Sequence, residues 1–179
     1  MMRLLTVRLS REEDVVAARQ RARQIAQAFG IDGQGQTRLA TAVSEISRNA
    51  FQYAAGGTVE FSIDQEAGAL VICVSDKGPG IPQLQSILNG TYKSRTGMGV
   101  GIVGTQRLVD TFAITAAPGQ GTVVTLSKAL PGRTTPVAPE VVTRVTEQLM
   151  RDQPAAAHSE VVEQNHELLA ALAELAQRQ

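Results

Sequence analysis

The chain has 179 residues, enough for one ordinary domain, and its 17 Lys and Arg residues balance 17 Asp and Glu residues. There is no basic excess to neutralise phosphates, and aromatic residues make up 3% with no Trp, so nucleic-acid binding is disfavoured. A hydrophobic fraction of 43% indicates a packed core, and a lone Cys73 excludes an internal disulfide. No stretch reaches the roughly 20 apolar residues of a membrane helix, and no signal peptide is recognisable, so we expect a cytoplasmic protein without a membrane partner.

The N-terminal third predicts one strand followed by two helices. Leu5–Leu9 alternates apolar and polar residues, as a half-buried strand does. Ser10 and Glu13 form a capping box that begins a helix ending at Gly30. A second amphipathic helix is predicted from about Gly35 to Tyr53.

After Gly57 apolar residues recur at every second position, which predicts strands, and glycine-rich segments separate them. The predicted strands are Val59–Ile63, Leu70–Val74, Thr111–Ala116 and Thr122–Ser127. Between the second and third of them we expect a loop (Asp76–Pro82), a polar helix or lid (Gln83–Thr96), a glycine-dense stretch (Gly97–Gly104) and a helix reaching Asp110.

The composition divides the chain into a compact domain over residues 1–128, a Pro-rich linker over 129–139 and a helical extension over 140–179. The extension predicts helices near Glu140–Arg151 and Ser159–Arg178. In the second of these, Val161, Asn165, Leu168, Leu172 and Leu175 follow a heptad pattern. It predicts either a coiled coil, and with it a homodimer through residues 159–179, or a helix packed on its own domain. Our hypothesis is that it leads to a further signalling domain.

Three motifs carry candidate chemistry. Glu45 and Asn49 lie one helical turn apart, so a carboxylate and an amide share one face and could take a proton and ligate a divalent metal. The alternative is a solvated helix edge on which Glu45 pairs with Arg48.

The second motif is Asp76 at a strand end, followed by Gly78 and Gly80. Its carboxylate could accept a hydrogen bond from an exocyclic amine such as adenine N6, beside backbone that a ligand can approach closely. An ordinary turn is the alternative, since Asp, Gly and Pro dominate turns.

The third motif is the glycine-dense stretch Gly97–Gly104 before a helix. Free N–H groups and the positive end of the helix dipole suit phosphate there. It is not a Walker A loop, because no Gly-Lys-Ser/Thr follows, and its late position does not fit a dinucleotide-binding fingerprint.

Together the three motifs, in this order and with a closing Gly121-Thr122, resemble the N, G1 and G2 boxes of the GHKL (Bergerat-fold) ATPases. Within that superfamily the N box, the Asp76–Pro82 loop and the Arg107–Asp110 helix end look like the anti-sigma-factor serine/threonine switch kinases of the stressosome type. The resemblance implies an α+β fold, a two-layer sandwich with helices on one face of a mixed, mainly antiparallel sheet.

The resemblance also implies site residues, with ATP and Mg²⁺ as cofactors. Asp76 and Thr122 would bind adenine, Asn49 would complete the Mg²⁺ shell, and Glu45 would orient or deprotonate the attacking hydroxyl. The other implied nucleotide-binding residues are Gly78, Gly80, Ile81, Lys93, Gly97, Gly99, Val100 and Gly101. Lys93 and its neighbour Arg95 either reach the γ-phosphate or are solubilising charges.

The function that this resemblance implies is phosphorylation of a serine or threonine on an antagonist protein of the STAS type. One alternative is a nucleotide-gated binding module that controls a phosphatase or a sigma factor. Another is the ATPase part of a hybrid sensor histidine kinase. Asn165–Leu168 faintly resembles a phosphoacceptor box, but it lies on the wrong side of the ATPase motifs.

Overall fold

The protein was analysed as a computed structural model, which describes residues 1–54, 56–79, 98–117, 119–132, 136–152 and 168–177. Within these ranges five strands form a single sheet of order β1-β2-β3-β5-β4, in which every neighbouring pair is antiparallel. The strands are β1 (Met2–Leu9), β2 (Gly57–Asp64), β3 (Ala69–Asp76), β4 (Thr111–Ala117) and β5 (Gly121–Ala129).

Five helices lie within the described residues. They are α1 (Glu12–Ala28), α2 (Gly33–Ala54), α3 (Met98–Gln106), α4 (Pro139–Arg151) and α5 (residues 168–177). α1 and α2 pack against each other, and both contact the sheet. Alternate strand residues such as Val59, Phe61 and Ile72 are fully buried beneath them, which is the period of two predicted from the sequence. The expected two-layer α+β sandwich is confirmed, with a described sheet that is antiparallel throughout rather than mixed.

The first two helices begin at residues other than those predicted. The Asp14 Oδ2 atom accepts hydrogen bonds from the Ser10 and Arg11 N–H groups, each at 2.8 Å, so the predicted Ser10–Glu13 capping box is wrong. Glu13 instead lies 3.7 Å from the Arg11 guanidinium. α2 begins at Gly33, two residues earlier than predicted.

The helix after the glycine-dense stretch is shorter than predicted and ends at Gln106 rather than at Asp110. Asp110 belongs to the sheet edge instead. Its Oδ2 atom accepts a 2.7 Å hydrogen bond from the Ala129 N–H, and its other oxygen lies 3.6 Å from the Lys128 ammonium. These contacts fix the start of β4 to the end of β5.

The described residues after β5, 130–132 and 136–152, include several that pack on the domain. Leu130 and Val137, in the segment predicted as a linker, are buried, and the Gln65 amide donates a 3.0 Å hydrogen bond to the Val137 carbonyl. α4 buries Val142, Val145 and Leu149 and contacts β1 and α1. The domain boundaries at 128 and 139 remain predictions, and the first helix of the extension packs on β1 and α1.

α5 is the described part of the second helix predicted in the extension. All of its residues are exposed. Val161 and Asn165, the other two members of the predicted heptad pattern, lie outside the described residues. No helix in the described part of the chain is long and apolar enough to cross a membrane.

Candidate functional site

The candidate site is centred on Asp76, the last residue of β3. In the sheet Asp76 is opposite Thr122, near the start of β5. Its Oδ1 atom accepts hydrogen bonds from the Gly78 N–H at 2.9 Å and from the Thr122 N–H at 3.2 Å. These two bonds fix the orientation of the carboxylate, so that Oδ2 is the oxygen a ligand would approach.

Two glycines allow the chain to close around this strand end. Gly121 has a φ of +85°, and a Cβ there would overlap the Asp76 carbonyl oxygen. A Cβ at Gly78 would overlap the methyl group of Ala54, the last residue of α2. The Gly119 N–H also donates a 2.8 Å hydrogen bond to the Pro79 carbonyl. This hydrogen bond joins the β4–β5 turn to the loop that follows Asp76, and the sequence pattern did not predict it.

Glu45 and Asn49 lie on α2, whose last residue touches Gly78. With a rise of 1.5 Å per residue, Asn49 is about 7.5 Å along the axis from Ala54. The flanking Ile46 and Ala50 are buried, so Glu45 and Asn49 occupy the edge of the buried face and are each half-buried. α2 packs on β3 and ends beside the loop that follows Asp76. The Glu45–Asn49 motif and the Asp76 motif are therefore neighbours in the structure.

Asn49 has an unsatisfied polar group. Its Nδ2 atom is buried and has no hydrogen-bond partner among the described residues. An orphaned buried amide costs free energy unless a ligand or water completes it. The amide at this position thus fits a ligand-binding role.

Glu45 forms an ion pair in this state. Its Oε1 atom accepts a 3.0 Å hydrogen bond from Arg48, the partner that the sequence analysis gave as the alternative to a catalytic role. The Glu45 and Arg48 side chains are 38% and 55% exposed. A pair this accessible to solvent is worth at most about 1 kcal/mol, so Glu45 can exchange Arg48 for another partner at small cost.

α3 supplies the third motif. Gly99, Val100 and Gly101 lie in its first turn, where backbone N–H groups have no partner within the helix. Its fifth residue, Ile102, is buried, and α3 packs against α2. The N-terminal end of α3, where the helix dipole is positive, therefore belongs to a helix that packs directly on the helix carrying Asn49.

Several predicted site residues lie outside the described residues, namely Gly80, Ile81, Lys93, Arg95 and Gly97. Within the described ranges no group of three or more His, Cys, Asp and Glu side chains could hold a metal ion. Phosphate oxygens and water are the ligands that Mg²⁺ commonly keeps in nucleotide sites.

Arg21, outside the candidate site, was missed by the sequence analysis. It is buried on α1, and its Nη1 atom donates hydrogen bonds to the Leu149 carbonyl at 2.7 Å and the Asp152 carbonyl at 3.4 Å. Burial lowers the pKa of the Arg21 guanidinium, and the negative charge of Asp152 raises it in part. The side chain links α1 to the C-terminal end of α4.

Comparison with known proteins gives consistent matches. Residues 9–128 match the family described as the histidine kinase-like ATPase domain. The serine/threonine-protein kinase RsbT of Bacillus subtilis is 36% identical over 126 residues, which cover 69% of this chain and 95% of RsbT. The anti-sigma F factor of Pasteuria penetrans is 34% identical over 104 residues, covering 52% of this chain and 68% of that protein.

Among solved structures, the histidine kinase domain of a blue-light activated histidine kinase from Erythrobacter litoralis is 24% identical. That match covers 65% of this chain and 61% of the other, with a TM-score of 0.43. The histidine kinase AdeS of Acinetobacter baumannii is 16% identical, with coverage of 73% and 70% and a TM-score of 0.42. The family match spans most of the chain and all three motifs, so the chain belongs to the histidine kinase-like ATPase domain family.

Proposed function

We propose that this chain is an ATP- and Mg²⁺-dependent protein serine/threonine kinase of a partner-switching pathway, acting on an antagonist domain of the STAS type. Membership of an ATPase-domain family implies the use of ATP. The similarity to RsbT confirms the predicted class of function, a serine/threonine kinase. The observation that carries the proposal is Glu45, which is half-buried one turn from Asn49 and forms a solvent-accessible ion pair with Arg48.

Adenine recognition is assigned to Asp76 and Thr122. Because both backbone donors use Oδ1 of Asp76, its Oδ2 is the acceptor for the adenine N6 amine. Guanine carries a carbonyl oxygen at the corresponding position, and two acceptors facing each other repel. This arrangement favours ATP over GTP.

Phosphate binding is assigned to the first turn of α3 and, through a metal ion, to Asn49. The free amides of Gly99, Val100 and Gly101 would donate hydrogen bonds to phosphate oxygens. The Asn49 amide oxygen would ligate Mg²⁺, and its buried Nδ2 group would donate a hydrogen bond to a phosphate oxygen or a water. Bound Mg²⁺ would neutralise charge on the phosphates.

Glu45 is proposed to act on the attacking hydroxyl. In this step the serine oxygen forms a bond to the γ-phosphorus, the bond from that phosphorus to the β,γ-bridging oxygen breaks, and ADP leaves. The hydroxyl proton moves to the Glu45 carboxylate, which first releases Arg48. Positioning and charge stabilisation supply the rest of the rate enhancement.

The test is transfer of labelled phosphate from ATP to a purified antagonist protein of the STAS type. We expect Glu45→Gln to lower the transfer rate by roughly 10²-fold or more, the usual range for a general base, with ATP affinity unchanged. Glu12→Gln, at the exposed start of α1, is the control and should transfer at the wild-type rate. If Glu45→Gln transfers as fast as wild type, the base assignment is wrong.

A second candidate is a nucleotide-gated binding module that controls a sigma factor or a phosphatase. It is favoured by the similarity to an anti-sigma F factor and by the Glu45–Arg48 ion pair, which occupies the proposed base. Such a module would bind its partner in an ATP-dependent manner and transfer no phosphate. The same assay therefore separates the two candidates.

A further inference from the structure

A groove runs between β1, α1 and α4, on the side of the sheet away from the candidate site. β1 is the first strand of the described sheet and pairs there only with β2, so its other edge has no strand beside it. The groove has a volume of about 580 Å³, a size common among ligand pockets. Five consecutive residues of β1 line it, Leu4–Arg8, and we call it the β1 groove.

The consecutive lining residues indicate that the β1 groove follows the edge of the strand. Side chains of a strand point alternately to its two faces, so a pocket on one face would contact every second residue. Consecutive residues meet a single groove along the edge, where the backbone N–H and C=O groups of an outer strand point away from the sheet. Leu4–Arg8 spans about 13 Å at a rise of about 3.3 Å per residue. The β1 groove therefore suits an extended peptide that adds to the sheet as a further strand.

Arg21 gives the β1 groove a cation with open hydrogen-bonding capacity. It lines the groove and is only 8% exposed. The hydrogen bonds that it donates to described residues all come from Nη1, to the Leu149 and Asp152 carbonyls and to the Gln24 amide oxygen. Its Nε and Nη2 groups thus have no acceptor among the described residues, and Arg21 forms no ion pair there. A carboxylate is the acceptor that best fits the planar guanidinium.

The other lining residues favour an acidic ligand with apolar flanks. The remaining charged side chains of the groove are Arg8 and Asp14, and Oδ2 of Asp14 already accepts two backbone N–H groups. The balance of charge is therefore positive. Leu149 and Met150 add an apolar wall, and Met150 is 68% exposed although it lies beside the buried core.

We propose that the β1 groove binds an extended, acidic peptide segment of a partner protein, which pairs with the edge of β1 and places an Asp or Glu carboxylate against Arg21. Backbone hydrogen bonds to β1 would supply affinity, and the carboxylate with its apolar neighbours would supply specificity. The lining includes none of the residues of the candidate nucleotide site, so the peptide site does not depend on the proposed kinase activity.

The first experiment selects ligands from a library of random displayed peptides of about ten residues, using the full 179-residue chain. We expect the enriched peptides to share an Asp or Glu at one position. The tightest of them is then synthesised, and its Kd is measured by calorimetry. Replacing its acidic residue by the matching amide should weaken binding about 10- to 100-fold, because the buried guanidinium loses a charged acceptor.

The second experiment assigns the carboxylate to Arg21 by combining protein and peptide variants. For Arg21→Gln we expect the acidic peptide and its amide form to bind equally, once circular dichroism shows that the variant is folded. Arg23→Gln is the matched control, because Arg23 is an exposed arginine of the same helix outside the groove lining. It should keep the full preference for the acidic peptide.

The third experiment tests the pairing with the backbone of β1 and leaves the protein unchanged. The selected peptide is N-methylated on one alternate set of amides or on the other. Since only one edge of an added strand faces β1, one set should weaken binding at least 10-fold and the other should bind nearly as well as the unmodified peptide. The unmodified peptide should also slow hydrogen exchange of backbone amides within Leu4–Arg8.

Four results would overturn the proposal. A selection that enriches no peptide would show that the groove is not a peptide site. Equal affinity of the acidic peptide and its amide form for the wild-type chain would remove the role of Arg21. Two methylated peptides that bind alike would exclude strand addition. A chain that sediments as a dimer with its β1 amides already protected would make a second copy the occupant.

Discussion

Replacing Asp76 by Asn separates the structural role of this carboxylate from its proposed role in binding adenine. The Gly78 and Thr122 N–H groups both donate to Oδ1, and an amide oxygen can keep both bonds. The amide nitrogen must then take the place of Oδ2. Hydrogen bonds to a charged acceptor are worth about 1 kcal/mol more than those to a neutral one, so Asp76→Asn should lower the free energy of unfolding by at most about 2 kcal/mol.

The effect on ATP should be larger. The variant loses a charge-assisted hydrogen bond to the N6 amine and sets an N–H donor against an N–H donor, which together cost about 3 to 4 kcal/mol. Because about 1.4 kcal/mol corresponds to a factor of ten, ATP affinity should fall roughly 10²- to 10³-fold. The preference for ATP over GTP should fall at least as much, since guanine offers a carbonyl to the new donor.

The assay is calorimetric titration with ATP and with GTP, accompanied by urea unfolding of each variant. Asp110→Asn is the matched control, because Asp110 also accepts a backbone N–H of β5, but at the opposite end of that strand. It should bind ATP like the wild type. If Asp76→Asn is folded and binds ATP within threefold of the wild type, Asp76 does not bind the adenine amine.

Three further substitutions test other parts of the account. In urea unfolding, Gly121→Ala should lower the free energy of unfolding by about 2 kcal/mol more than Gly119→Ala does. Both glycines have a positive φ, but of the two only Gly121 lies so close to backbone atoms that a Cβ would overlap them. Equal losses would contradict the described packing. Arg21→Leu should destabilise the fold by about 1 to 3 kcal/mol and speed hydrogen exchange in α4, because the Leu149 carbonyl loses its Arg21 donor and the Asp152 carbonyl keeps the Gln24 amide. Unchanged exchange would refute the link between Arg21 and α4. Arg48→Ala should change stability by less than about 1 kcal/mol and leave phosphotransfer intact, whereas loss of transfer would show that Glu45 needs its ion pair.

Much of the fold could be predicted because its signals are local. The alternation of Val59, Phe61 and Ile63 identifies a strand whatever the rest of the chain does, and the structure buries all three. Asp76 could be identified from the glycines that follow it, and Asn49 from its spacing of one helical turn from Glu45. The order of these motifs along the chain matches that of the GHKL ATPases. Their roles with a nucleotide remain predictions.

The features that escaped prediction depend on small energies or on distant contacts. Asp14 rather than Glu13 caps α1, and a shift of one residue within an acidic turn changes little in the sequence pattern. Arg21 meets the Leu149 carbonyl 128 residues away, which no local pattern indicates. The Glu45–Arg48 pair was foreseen only as an alternative, since exposed ion pairs form and break for about 1 kcal/mol.

The central claim is that phosphate from ATP goes to a hydroxyl group of a partner protein. It is tested most directly by the chemical stability of the phosphorylated partner after incubation with this chain and labelled ATP. A phosphate ester on serine survives acid and is released by hot alkali, and this is the result we predict. Label that is lost in acid, as from phosphohistidine, or a complete lack of label on any partner with ATP bound, would contradict the account.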